Sequence, residues 1–346
     1  MGKVSQEIHL TAIVDWLAAI TQGSHAIDDS NPRLVESWES RTATLHHFTW
    51  HGSTLPDVVV KVHNTANEAA THFHSMRDVA LALEKAPRSH VAMLSPSGFS
   101  GDLRAVLMPY VEGRCLSDVI VYGRWSSSAF RTSTFKLVRN CGEILASYHE
   151  GATEAAESVR RAAQERLESR LTIALDRSVQ LADLTLGTPV VKRYGDFHPG
   201  HILVTATGQL ALLDPPIEVR HEYIYRDLAA FSYNLSMALI HPSSFFRNPL
   251  RARYMRSLVR EFLNGYTDGA SRRLTEDDFL LINGYEAFFF RRMLDSSRKV
   301  SLRRFAYYGA LVWRTIHELR RIVDERLERL SSLESRHGFD DTSSRY

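Results

Sequence analysis

Residues 194–214, YGDFHPGHILVTATGQLALLD, decide how this chain is read. Asp196 follows a glycine, His198-Pro199-Gly200-His201 continues the turn, and Ile202-Leu203-Val204 and Leu210-Ala211-Leu212-Leu213 flank Thr207-Gly208 before Asp214. Short apolar runs around a Thr-Gly turn predict a hairpin. Such a hairpin carries both carboxylates to one end. Moving a phosphoryl group from a nucleotide to a hydroxyl requires one carboxylate beside the attacking oxygen and a second that holds a divalent cation against the phosphates. Asp196 suits the first role and Asp214 the second. Either aspartate alone is an ordinary turn residue; together, at this spacing, they are specific.

In the protein-kinase catalytic loop H-R-D-x-x-x-x-N the Asn position binds a second metal ion, and here that position is His201. The whole string resembles that of the aminoglycoside phosphotransferase and choline kinase group of small-molecule kinases, HGDxHPGN followed by a strand ending in IDF or IDW. Tyr194 stands for the group's His, His201 for its Asn, and Asp214-Pro215-Pro216 for its Asp-aromatic pair. Macrolide phosphotransferases in the group also carry His at the Asn position. The resemblance extends over roughly residues 34–329.

What the resemblance implies is an α+β, two-lobed protein-kinase-like fold. Residues 1–112 would form a nucleotide-binding lobe with a small antiparallel sheet and a leading helix, 113–330 a helical lobe for catalysis and the acceptor, and 331–346 a polar tail. It further implies ATP or GTP as phosphoryl donor, Mg²⁺ or Mn²⁺, and a small-molecule hydroxyl, sugar- or antibiotic-like, as acceptor. Asp196 is then the base and Asp214 and His201 hold the metal. Imidazole suits Mn²⁺ better than Mg²⁺, so His201 bears on metal preference. Asp227, in Asp227-Leu228-Ala229, is expected to support the catalytic loop.

Upstream, apolar periodicity predicts a helix near residues 6–21, strands over 34–38, 42–50 and 58–62, and a helix over 66–83. Lys61 interrupts the β-branched third strand, where the resemblance makes it the phosphate clamp. The following helix is expected to hold that lysine with Glu68, or failing that Glu84. The loop 39–42 contains no glycine, and Ser40, Arg41 and Thr42 offer hydrogen bonds to phosphate. Arg104-Ala105-Val106-Leu107-Met108-Pro109-Tyr110-Val111-Glu112-Gly113 looks like the hinge between lobes. The implied adenine contacts are the Pro109 carbonyl and the Val111 amide, with Met108 behind the base.

Composition fits this reading. A chain of 346 residues, 44% hydrophobic and 24% charged, can bury a large core. A net charge of +2 gives no electrostatic footprint for nucleic acid. Cys115 and Cys141 form no metal-ligand spacing and suit a reducing cytoplasm. The first residues lack signal-peptide character, and the apolar window from Phe279 is too short to span a bilayer. Arg and Lys outnumber Asp and Glu between Arg247 and Arg329, which favours a neutral or anionic acceptor over a polycation.

Three other readings compete. A nucleotide-binding pseudokinase would account for Tyr194 and His201. A protein kinase lacks support, because no Ala-Pro-Glu string is present and the run from Asp214 to Asp227 is short. A metallohydrolase built on His198, His201 and Asp214 finds no further histidine pair to close its ligand set.

Overall fold

The structure is a computed structural model that describes residues 3–22, 32–40, 43–50, 55–84, 91–92, 95–123, 127–151, 153–154, 156–175, 188–214, 220–240 and 251–298, with a few isolated helical positions beyond residue 300. Arg41, Thr42, Pro215, Pro216 and the expected polar tail lie outside the described residues.

Strand β3 (Val58–His63) organises the first part of the chain. It lies between β2 (Ala43–Trp50) and β6 (Ala105–Pro109) in an antiparallel sheet of order β1-β2-β3-β6-β5, with β1 at Pro32–Glu39 and β5 at Gly98–Ser100. Side chains alternate across a strand, so β3 divides its residues between two helices. Val60 and Val62 join Phe48, Trp50 and Leu107 under Ile13 and Leu17 of α1 (Lys3–Gln22). On the opposite face, Ala69 and Met76 of α2 (Ala66–Glu84) pack on Val106 and Met108. Lys61 and His63 belong to that second face by the same alternation.

Helix α2 begins with a capping box, the reciprocal arrangement that satisfies two amides at a helix start. Thr65 Oγ1 accepts the Glu68 amide at 3.2 Å, and the Glu68 carboxylate accepts the Thr65 amide at 3.2 Å.

Helices dominate the remainder: α3 (Leu116–Gly123), α4 (Ser128–Gly151), α5 (Glu157–Leu175), α6 (Tyr225–Ile240), α7 (Arg251–Gly269) and α8 (Glu276–Arg298). Two small sheets are set among them. The first has the order β4-β11-β10-β7 and contains the hairpin of β10 (Ile202–Val204) and β11 (Leu210–Leu212), where Ile202 faces Leu212. Its outer strands are β4 (Val91–Ala92) and β7 (Arg114–Cys115). The second joins β8 (Thr153–Glu154), β9 (Val190–Lys192) and β12 (His221–Tyr223).

Helices α4 and α7 cross backbone to backbone through glycine. A Cβ on Gly142 would lie 2.0 Å from the Phe262 carbonyl oxygen, and one on Gly265 would lie 2.0 Å from that of Arg139. The crossing fixes α4 beneath the hairpin. Val138, Cys141 and Leu145 of α4 share one core with Tyr194, Phe197, Ile202, Phe231 and Phe262.

Candidate active site

Strand β9 delivers the chain to a turn whose backbone is held from below. Tyr194 is buried, its ring edge-on to Phe197 at 5.1 Å and to Tyr148 at 5.5 Å. Gly195 adopts φ 85°, a conformation open to glycine at no steric cost. Asp227, in the first turn of α6, accepts the Tyr194 amide at 2.6 Å and the Gly195 amide at 3.1 Å. His149 Nε2 stands 3.3 Å from the same carboxylate, and His149 Nδ1 reaches the Tyr266 hydroxyl at 2.9 Å. Burial works to raise the Asp227 carboxyl, but its bond to His149, the nearby charges and the Tyr194 amide outweigh burial and hold it below its ordinary value.

The turn presents Asp196 with its side chain 55% exposed. A single turn of 3₁₀ helix, Pro199–His201, then brings two imidazoles back to it. His201 Nδ1 lies 3.1 Å from one Asp196 oxygen and His198 Nε2 lies 3.4 Å from the other. Burial favours the neutral carboxyl, yet the bond to His201 and the charges of His201, His198 and Arg226 leave Asp196 below its usual value. Burial opposes charge on His201 as well, and Asp196 reverses that, raising the imidazole above its usual value.

The hairpin sets Asp214 beside this turn. The Leu213 amide donates to the His201 carbonyl at 2.8 Å, so the two strands end side by side with Asp214 one residue further. Asp214 has φ 46°, the left-handed region that non-glycine residues rarely adopt. Its Oδ1 meets Lys61 Nζ and lies 3.7 Å from His72 Nε2 on α2. Burial tends to raise the Asp214 carboxyl, and Lys61, followed by His72 and His201, holds it down. The structure thus brings Lys61, Asp196, His201 and Asp214 into one cluster, although up to 153 residues separate its members.

In this structure Lys61 meets Asp214 and neither of the expected acids. Glu68 is engaged by Thr65 at the start of α2 and makes no ion pair with Lys61; Glu84 is exposed at the far end of the helix. The physical reason is rotation. Packing of Ala69 and Met76 on the sheet turns position 72 inward, one helical step from each, and leaves position 68 at the helix mouth. A histidine on the apolar stripe of α2 was the available signal.

At the hinge, Val58 pairs with Pro109 and Val59 with Met108, and the Tyr110 amide donates to the Asp57 carbonyl at 2.8 Å. Met108 is buried against α2, while Pro109 and Val111 are half-buried. The Tyr110 ring stacks on His47 at 3.9 Å, and His47 Nε2 is tied to Asp57 at 2.9 Å.

A second unforeseen feature lies behind the turn. Glu222 is fully buried, and Arg170 grips both its oxygens from α5. Arg193 approaches it at 3.4 Å, Arg226 at 3.3 Å and Arg166 at 4.0 Å. Arg226 also donates to the Gly195 carbonyl at 3.3 Å, carrying this positive charge to the residue before Asp196.

Asp196, His198 and His201 each place a ligand atom within 4.8 Å of the others. Gly200 donates its amide to His198 Nδ1 at 3.0 Å, so the neutral His198 ring carries its proton on Nε2 and turns no lone pair toward a cation there. The Asp214 carboxylate and the His201 imidazole are donor types that suit divalent cations, oxygen Mg²⁺ and nitrogen Mn²⁺. Among the described residues, no helix is long and apolar enough to cross a membrane.

Comparison with known proteins bears on family and fold. The pattern of the phosphotransferase enzyme family (APH) matches residues 36–266. No curated protein matches the sequence. Among solved structures, a glucosamine kinase in complex with glucosamine, ADP and inorganic phosphate is similar over 86% of this chain and 81% of its own, with 18% identity and a TM-score of 0.51. A macrolide 2'-phosphotransferase type I is similar over 89% and 97%, with 12% identity and a TM-score of 0.48. The apoenzyme of a macrolide 2'-phosphotransferase from Brachybacterium faecium is similar over 89% and 97%, with 14% identity and a TM-score of 0.47. The first likeness establishes a kinase-like fold, with a small antiparallel sheet followed by a mostly helical lobe.

Proposed function

The chain belongs to the phosphotransferase enzyme family and is a small-molecule kinase, and from that premise we propose that it moves the γ-phosphoryl group of ATP or GTP to a hydroxyl of a neutral or anionic, sugar- or antibiotic-like acceptor. The single observation that carries this reading is the convergence of Lys61, Asp196, His201 and Asp214.

In this reading the nucleotide lies between residues 1–112 and 113–330, with its base against Met108, the Pro109 carbonyl and the Val111 amide. Lys61 turns its ammonium to the phosphates. Asp214 and His201 would hold the divalent cation, whose chemistry there would be to offset charge on the transferred group. Asp196 orients the acceptor hydroxyl and receives its proton at a carboxylate oxygen, and its lowered pKa keeps that oxygen ionised at neutral pH. Asp227 fixes the turn from which Asp196 acts. Positioning and charge neutralisation supply the rate enhancement, and no covalent phosphoenzyme is needed. The arginines around Glu222, reaching Gly195 through Arg226, favour a neutral or anionic acceptor over a polycationic amine.

A second reading, a nucleotide-binding module without turnover, is favoured by the contact of His201 with Asp196, which occupies the base. One experiment separates the two. Purified protein is given ATP or GTP with Mg²⁺ or Mn²⁺ and screened against pooled sugars, amino alcohols and antibiotics. Acceptor-dependent nucleotide consumption supports the kinase; a thermal shift with nucleotide and no consumption over hours supports the binding module.

A further inference from the structure

Helix α2 sets a histidine beside Lys61 and Asp214 where a glutamate was expected. We propose that His72 is a positioning residue for Asp214: its Nε2–H, fixed by His63, takes hold of Asp214 Oδ1 when Lys61 turns to the donor phosphates. The inference rests on the reading of Asp214 as a cation-binding carboxylate.

The geometry is confined. His72 and His63 are 1% and 2% exposed, and His63 Nε2 meets His72 Nδ1 at 3.1 Å. Two buried imidazoles joined at 3.1 Å cannot both be ionised, and burial favours the neutral form of each. Two neutral imidazoles joined by one bond have two arrangements.

In one, His63 Nε2–H donates to His72 Nδ1, and His72 carries its own proton on Nε2, facing Asp214. In the other, His72 donates from Nδ1 and its bare Nε2 faces the carboxylate at 3.7 Å, lone pair against anion. His63 Nδ1, buried with no hydrogen-bond partner among the described residues, is left unpaired in either arrangement and does not distinguish them. Repulsion between the His72 Nε2 lone pair and the carboxylate therefore selects the first arrangement.

The present 3.7 Å is too long for a hydrogen bond because Lys61 already meets the same oxygen. Once the lysine is drawn to phosphate, Oδ1 is a charged acceptor within reach of the His72 N–H. A neutral donor there steadies Asp214 while leaving its negative charge for the cation. A glutamate at this position would repel Asp214 and compete for Lys61.

Two measurements test this. In ¹⁵N-histidine NMR of the metal-free protein, with His72 assigned by the signals lost in His72→Gln, protonated Nε2 and bare Nδ1 are expected; the opposite tautomer overturns the inference. Mn²⁺ binding in the presence of ADP is then measured by electron paramagnetic resonance. His72→Leu, which has no donor, should weaken Mn²⁺ about tenfold, while His72→Gln, which keeps an N–H, should stay within about threefold of the native protein.

Native affinity in His72→Leu, or equal loss in both variants with native melting temperatures, overturns the inference. If Asp214→Ala binds Mn²⁺ as the native protein does, the functional reading falls, and this inference with it. Should His72→Leu not fold, the tautomer measurement decides alone.

Discussion

Asp227 accepts the backbone amide of Tyr194 at 2.6 Å across 33 residues of sequence. A fully buried carboxylate thereby shapes the turn that presents Asp196, without itself being exposed to the cleft. Asp227→Asn should be costly, since an amide group must turn its NH₂ toward a backbone N–H. We expect a loss of about 3 kcal/mol in denaturant unfolding and a fall in kcat.

The same carboxylate sets an acid limit. Its folded pKa lies below the 3.8 of a free aspartate, so its stabilisation is complete above that value and is lost as pH falls through the depressed one. Unfolding free energy measured from pH 6 downward should decline at the acid end in the native protein, and this part of the slope should be absent in Asp227→Asn.

Asp196 and Asp214 should separate in their effects. Asp196→Ala is expected to abolish turnover and leave nucleotide affinity within about threefold, because it removes only the base. Asp214→Ala should weaken metal–nucleotide binding by calorimetry. Normal phosphorylation by either variant would defeat the assignment.

Lys61→Met retains most of the length of the side chain and removes its charge. The expected result is a loss of about a hundredfold in kcat/KM for the nucleotide. Acceptor KM, measured at saturating nucleotide, should change little.

Glu68→Ala tests the reassignment of the α2 acid. A capping role predicts a loss of about 1 kcal/mol in stability with turnover retained, whereas loss of turnover at unchanged stability would return Glu68 to the phosphate site.

Gly142→Ala should destabilise the chain by more than about 3 kcal/mol, because its Cβ would stand 2.0 Å from the backbone oxygen of Phe262. Backbone cannot yield as a flexible side chain does. A melting temperature equal to that of the native protein would show that α4 and α7 cross elsewhere.

Much of this was legible along the chain. The strand carrying Lys61 and the hairpin carrying Asp196 and Asp214 follow from apolar period and turn residues, and the family resemblance implied that they share one site. His72 was not legible as a site residue, because a histidine in an apolar stripe looks like core and the resemblance implied an acid on this helix. What turned it inward is the seating of Ala69 and Met76, a tertiary fact. The arginines on Glu222 were hidden for a similar reason: Arg170 and Arg193 stand 52 and 29 residues from it, and no local period links them. Tyr194, an anomaly in the string, is accounted for by the aromatic packing of Phe197 and Tyr148.

The contact between Lys61 and Asp214 has an energetic corollary for ligand entry. Each is the other's counter-ion, so a phosphate that captures the lysine alone strands an anion, and a cation that captures the aspartate alone strands an ammonium. Arrival of both ligands together strands neither. If Lys61 and Asp214 take the roles proposed for them, metal and nucleotide should bind with positive cooperativity, each raising affinity for the other by the same factor in either order of addition.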